Sequence, residues 1–394
     1  MVNNLTEGKP LKLLFFFAMP MVVGNLFQQL YNMVDSMVVG RFVGEDALAA
    51  VGSSFPVVFL SVAIAAGLSM GCTVVISQFF GAGKILEMKI TVSTALISLG
   101  VIGLIIMGIG EIIAGPLLTL LGTDPDIMAD SLAYLRIYFG GAVFLFLYNS
   151  LNGIYNALGD SQTPLKFLIV SALTNIVLDL LFVIKFNMGV AGVAWATLIS
   201  QGMCAVFSFF VLIARLRKME NEEEARGKAF TFFDMSSAER IAKVGVPSML
   251  QQSIVSVSMM LMQGLVNSYG KVFVAGYTAA TKIDTLAMMP NMNFSNAMSS
   301  YAAQNIGARK MDRVKQGYKA SMFMVVIFSL IITSIIFLFG PQLLGLFLKQ
   351  GSEGSAMSYG LSYMKTVSVF YILMGALFVS NGLLRGAGDM GAFM

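Results

Sequence analysis

Apolar runs of about twenty residues or more recur along the whole chain, and they limit its fold more than any other feature. Such a run crosses the ~30 Å hydrocarbon core of a bilayer as an α-helix, which satisfies all its own backbone groups in lipid. Ten spans are read: 13–40, 47–79, 91–113, 131–155, 164–184, 190–214, 241–268, 272–302, 318–340 and 361–384. The composition agrees. The 394 residues are 57% hydrophobic and 12% charged, where a soluble globular chain is about 25% charged. The opening "MVNNLTEGKPLKLLFFF" is not read as a cleavable leader, because its apolar run continues as a full span. The expected class is an all-α polytopic membrane protein.

The charges give an orientation. Eighteen of the 25 Lys and Arg residues, Arg385 among them, are assigned to the N-terminal segment and the even-numbered loops. Six fall in the odd-numbered loops and adjoining span ends, and Lys282 lies inside a span. This bias predicts a multi-pass protein of the cell membrane with a cytoplasmic N-terminus. The charged stretch 215–240 divides the chain. It is read as a cytoplasmic linker ending in an amphipathic, interfacial helix, with Ser236 and Glu239 spaced as a capping box. Residues 1–214 are then a first lobe and 241–394 a second.

The two halves share one design. "ISQFFGAGKILEMK" (76–89) aligns with "AAQNIGARKMDRVK" (302–315), so that Gln78, Gly81 and Lys84 match Gln304, Gly307 and Lys310. "LNGIYNALGD" (151–160) aligns with "SNGLLRGAGD" (380–389), matching Gly159-Asp160 to Gly388-Asp389. An even number of spans per copy makes the repeats parallel, a design suited to alternating access. Two six-helix repeats are expected, with ten of the twelve helices in this chain. On that count two helices of the second repeat are missing, and low stability with little transport is expected.

Several motifs resemble the multidrug and toxic compound extrusion (MATE) family. They are "VDSMVVG" in the first span, the paired "QxxGAxK" loops, the turns "NALGDSQTP" and "RGAGD", and "NIVLD…GVAGVAWATLISQ" through the fifth and sixth spans. The resemblance covers essentially the whole chain. It implies secondary active export of small amphipathic or cationic drug-like compounds from the bilayer-embedded protein, by antiport against proton or sodium entry.

Acidic residues inside spans are rare and mark ion or substrate pathways. On the first helix Asn25, Gln28, Asn32 and Asp35 fall within an arc of about 80°, with Tyr31 nearby. On the fifth, Ser171, Asn175 and Asp179 share one face. Asp35 is six residues before Arg41, and Asp179 six before Lys185, so both carboxylates sit roughly 9 Å inward of a basic residue and at one height. Neighbouring carboxylates in a low-dielectric setting can hold a shared proton. The resemblance implies that Asp35, Asn175 and Asp179 form the proton or cation site of the first lobe. The second lobe has no acid matching Asp35. It offers Gln252, Ser256, Met259 and Gln263 on the seventh helix as cavity lining, and Lys282 and Asp284 on the eighth; spaced by two, this last pair should not bridge.

Other classes fit less well. A flippase for a lipid-linked headgroup needs Lys and Arg in its cavity to hold phosphate, and Lys282 alone is read inside a span. A channel needs a pore lined in both halves. An intramembrane enzyme needs a nucleophile–base pair or a metal site, and the chain has no histidine. Cys72 and Cys204, both in apolar runs, are read as packing residues. No cofactor, metal or nucleic acid is expected, and a monomer is.

Overall fold

The computed structural model describes residues 4–219, 229–348 and 355–394. It is all-α. The helices are α1 (Pro10–Val38), α2 (Glu45–Gly81), α3 (Ile85–Leu120), α4 (Met128–Gly140), α5 (Ala142–Ala157), α6 (Gln162–Leu180), α7 (Gly189–Lys218), α8 (Met235–Asn267), α9 (Lys271–Gly307), α10 (Met311–Gly345), α11 (Ser355–Val369), α12 (Tyr371–Ala387) and the short α13 (Met390–Phe393). Among the described residues seven helices are long and apolar enough to cross a membrane, or nine when the bent pairs α4–α5 (50°) and α11–α12 (52°) each count as one span. The tenth expected span is α9, 37 residues long and carrying Lys282, Asp284 and several asparagines.

The helices outrun the expected spans because hydropathy marks only the part in hydrocarbon. α3 starts at Ile85, not 91, and its first turns carry Glu87 and Lys89 into the polar boundary. Pro20, Pro56, Pro247 and Pro290 all lie inside helices. α8 is capped by Asp234, whose carboxylate accepts from the Ser237 backbone N–H at 2.7 Å. The expected capping box at Ser236 and Glu239 is therefore displaced by two residues, and Glu239 pairs instead with Lys243 at 2.9 Å. Residues 229–234, expected in an interfacial helix, run as irregular chain. The Asp234 N–H is held by Thr94 Oγ1 of α3 at 3.0 Å, which fixes this approach to the cap. The rest of the expected linker helix falls outside the described residues.

The halves of the chain meet at the end of the bundle that holds the first described residues. α2 packs most extensively on α8 there. Leu14, Phe17 and Ala18 of α1 join Phe294, Ala297, Met298 and Tyr301 of α9 in one buried cluster. Leu5 is buried beneath α9, its N–H donating to Gln304 Oε1 at 2.9 Å. The repeat motif closes this end reciprocally. A Cβ on Gly81 would overlap the Gln304 carbonyl, and one on Gly307 would overlap that of Gln78. The paired Gly-Asp turns are also structural. Gly159 and Gly388 take φ of +72° and +78°, which glycine adopts without strain. Asp160 and Asp389 then cap the helices that follow.

Candidate functional site: a carboxyl pair beside a cavity between the halves

α1 packs along α6, and this brings together the two carboxyl groups that the sequence placed at one height. The Asp35 and Asp179 side chains face each other across the contact of α1 with α6. Two carboxylates offer only acceptors, so a hydrogen bond between them requires a proton on one. Asp179 is fully buried, and its Oδ1 has no donor among the described residues. Asn175 completes the group. In the amide orientation that satisfies it, its nitrogen donates to Asp179 Oδ2 at 3.2 Å and its oxygen accepts from the Thr197 N–H at 3.2 Å. Tyr31 approaches the Thr197 side chain, with Tyr134 close by.

Both acid-bearing helices change pitch beside this cluster. α1 passes into a π-helical turn at Val39–Val43, and α6 into one at Leu181–Lys185. Such turns are rare and are found often at functional sites. A void of about 10 Å³, roughly the size of one water, is lined by Tyr134, Tyr138, Thr197 and Gln201 among others.

A cavity of about 380 Å³ lies between the halves, walled by α1, α2, α5, α6, α7, α9 and α12. Gln201 lines both it and the small void, as does Leu145. Of the expected lining residues Gln28 is there, with Asn25 donating to Asn293 Oδ1 at 3.3 Å. Tyr31 belongs to the carboxyl cluster, and Asn32 is exposed. The remaining expected residues lie away from this cavity. Ser256 donates to its own helix at Gln252 O, Gln263 bonds Asn267 at 2.9 Å on an exposed face, and Met259 is exposed. Lys282 stands over the Phe347 ring at 5.7 Å, and Asp284 accepts from the Tyr371 hydroxyl at 2.6 Å. The two do face different partners, as their spacing requires.

Three groups escaped the sequence reading. Asn149, Asn152 and Asn156 form a polar stripe on α5 that lines the cavity, and their spacing of three and four was a readable signal. Tyr134, Thr197 and Gln201 come from α4 and α7, and only packing joins them to Asp179. Arg385, assigned to a loop, is 6% exposed and lines the cavity. The apolar run ends before it, but α12 continues through it to Ala387.

The MatE family model matches this chain in two segments, residues 20–181 and 247–394, so each half matches. The chain is 32% identical over 393 residues to the probable multidrug resistance protein YpnP of Bacillus subtilis, covering 98% of this chain and 85% of that protein. It is 30% identical to the probable multidrug resistance protein YoeA of the same organism, covering 95% and 81%. Its fold matches a solved outward-facing multidrug resistance MATE transporter with a TM-score of 0.87, at 26% identity, over 99% of this chain and 85% of that one. The chain belongs to the MatE family, the multidrug and toxic compound extrusion transporters.

Proposed function

We propose that this transporter exports amphipathic, drug-like small molecules, organic cations among them, by alternating access, and that proton entry through Asp35 and Asp179 drives the exchange. The observation that carries this reading is the carboxyl pair itself. It is held by Asn175, and two shared residues, Gln201 and Leu145, stand between its polar surroundings and the cavity between the halves. A proton on the pair satisfies its hydrogen bond, and loss of that proton leaves two like charges in contact. Each protonation state thus favours a different packing of α1 on α6, which is what coupling needs. Multidrug names among the relatives support the substrate range. With the N-terminus in the cytoplasm, the closed end is the cytoplasmic one and this state faces outward. The two halves act as lobes that rock about the central cavity, in a monomer of the plasma membrane.

The test uses everted vesicles carrying a pH gradient, with ethidium added and the chain expressed at the full length of its relatives, of which it covers 85% and 81%. The wild type should dissipate the gradient, and Asp35→Asn should not, at equal protein level. Dissipation by the variant at the wild-type rate would remove Asp35 from the mechanism. A gradient untouched by either protein rules out proton–ethidium exchange, and a sodium gradient then becomes the driving force to test.

A further inference from the structure

Arg385 is a fixed cation in a cavity that holds no acid. None of the described residues lining the 380 Å³ cavity is Asp or Glu, and the polar lining is mostly amide and hydroxyl. Among the described residues the guanidinium meets only neutral groups. Nη2 donates to Asn296 Oδ1 at 2.9 Å, Nε to Ser299 Oγ at 3.4 Å, and Nη1 faces the Met70 thioether at 2.9 Å, a weak acceptor. Two further lining atoms, Asn156 Oδ1 and Ser300 Oγ, are buried without a partner.

A buried arginine keeps its charge, and burial without a counter-ion is strongly unfavourable unless something compensates. The first half shows the usual solution. There Arg215 pairs with the buried Asp160 and also bonds Thr163. In the second half Asp389, which matches Asp160, accepts from the Ala392 N–H, and Arg385 makes no ion pair among the described residues. The repeat alignment sharpens the contrast. Arg385 falls at the position matching Asn156, and both residues line the same cavity. One copy of the design places an amide there and the other a cation.

We propose that Arg385 is a specificity-determining residue, which receives a carboxylate or phosphate group of the transported compound. The preferred substrates are then zwitterionic or anionic amphiphiles rather than cations alone. The guanidinium fork suits bidentate contact with either anion, and neutral amides around it can hold the remainder of a polar compound. This rests on the reading of the cavity as the substrate site, and it is independent of which residue carries the proton.

The experiment is equilibrium binding to the purified full chain in nanodiscs of neutral lipid. The probes are norfloxacin, which carries a carboxylate and an amine, its methyl ester, and ethidium. Arg385→Gln should weaken norfloxacin by about tenfold or more, the scale of one lost charge-assisted contact. It should leave the ester and ethidium within about twofold, since each lacks the anion. Arg385→Lys should restore part of the norfloxacin affinity, and Asp35→Asn should retain it. Displacement of norfloxacin by lysophosphatidic acid, but not by lysophosphatidylcholine, supports the anion site and assigns it to lipid phosphate. Displacement by neither also supports it, and assigns the site to soluble anions. Equal weakening of all three probes by Arg385→Gln overturns the inference in favour of a structural role, as does no weakening of norfloxacin. Failure of every probe to bind the wild type overturns the cavity reading and this inference together.

Discussion

At the scale of single residues, Asp160 shows how much pairing is worth to a buried charge. Burial alone would raise its pKa. Hydrogen bonds from Arg215 and from Thr163 outweigh that and hold the carboxyl below the usual carboxylate range. Asp160→Asn keeps a good cap for α6 but removes the ion pair. We expect a loss of about 2 kcal/mol, less than for a fully buried pair because Arg215 is partly exposed. Thermal unfolding in detergent measures it. A lowered carboxyl pKa favours the folded state above the unfolded-state value near ~3.9, and that advantage fades as pH falls through the lowered value. The gap between wild type and variant should therefore be constant from about pH 5 upward and should close in acid. A gap that grows on acidification contradicts the assignment. Residues of this kind differ in how far the sequence reveals them. Asp35 and Asp179 were legible because each lies in an apolar run, at the same distance from a basic residue. Arg385 was not, because hydropathy ends at its turn of α12 while the helix, and the cavity, continue.

The element scale adds the reason for a repeated motif. The alignment of Gln78 and Gly81 with Gln304 and Gly307 was plain in the sequence, as was its place at the ends of α2 and α9. Its purpose was not, since matched residues in two copies do not announce that they touch. They close on each other about the axis of the repeat, each glycine against the other copy's glutamine backbone. A side chain there meets main chain, which no rotamer change relieves. Gly307→Ala should cost the closed arrangement about 1–3 kcal/mol, a roughly tenfold or larger shift toward the state open at this end. Spin labels at Lys84→Cys and Arg309→Cys, both on the rim of this closure, report it as a longer distance population. An unchanged distance distribution would mean that α2 and α9 yield without opening, and that the glycines are not a gate. The bends at Gly140-Gly141 and at Phe370 belong to the same scale. Both were read as continuous spans, because a break within an apolar run leaves the hydropathy unchanged.

For the whole molecule, the contacts of α2 with α8 decide whether two halves can rock. α8 crosses α2 at very close range: Cβ atoms on Gly67 and Gly71 would strike the backbones of Met249 and Ile241. Close backbone packing of this kind gives a well-fitted interface that separates as a unit. It is the largest contact that α8 makes among the described residues, with α3, α9 and α13 touching it less, and Ile254, Val255, Leu261 and Leu265 of its far half are exposed. If export proceeds by rocking, this interface must part in every cycle. A bond across it should then stop transport without touching Asp35 or Asp179. Leu68 and Gly245 are chosen for that bond because a Cβ on Gly245 would stand 3.3 Å from the Leu68 Cα, so the two backbones face each other directly across the interface. In a Leu68→Cys, Gly245→Cys pair, mild oxidation should abolish ethidium export and reduction should restore it. Both native cysteines are buried, so the same oxidation should leave the wild type unaffected. Proton uptake by the Asp35–Asp179 pair should persist in the cross-linked protein, because α1 and α6 lie apart from the bond. Export that continues through the oxidised pair would show that α2 and α8 move as one body, and the moving boundary would have to lie elsewhere in the bundle.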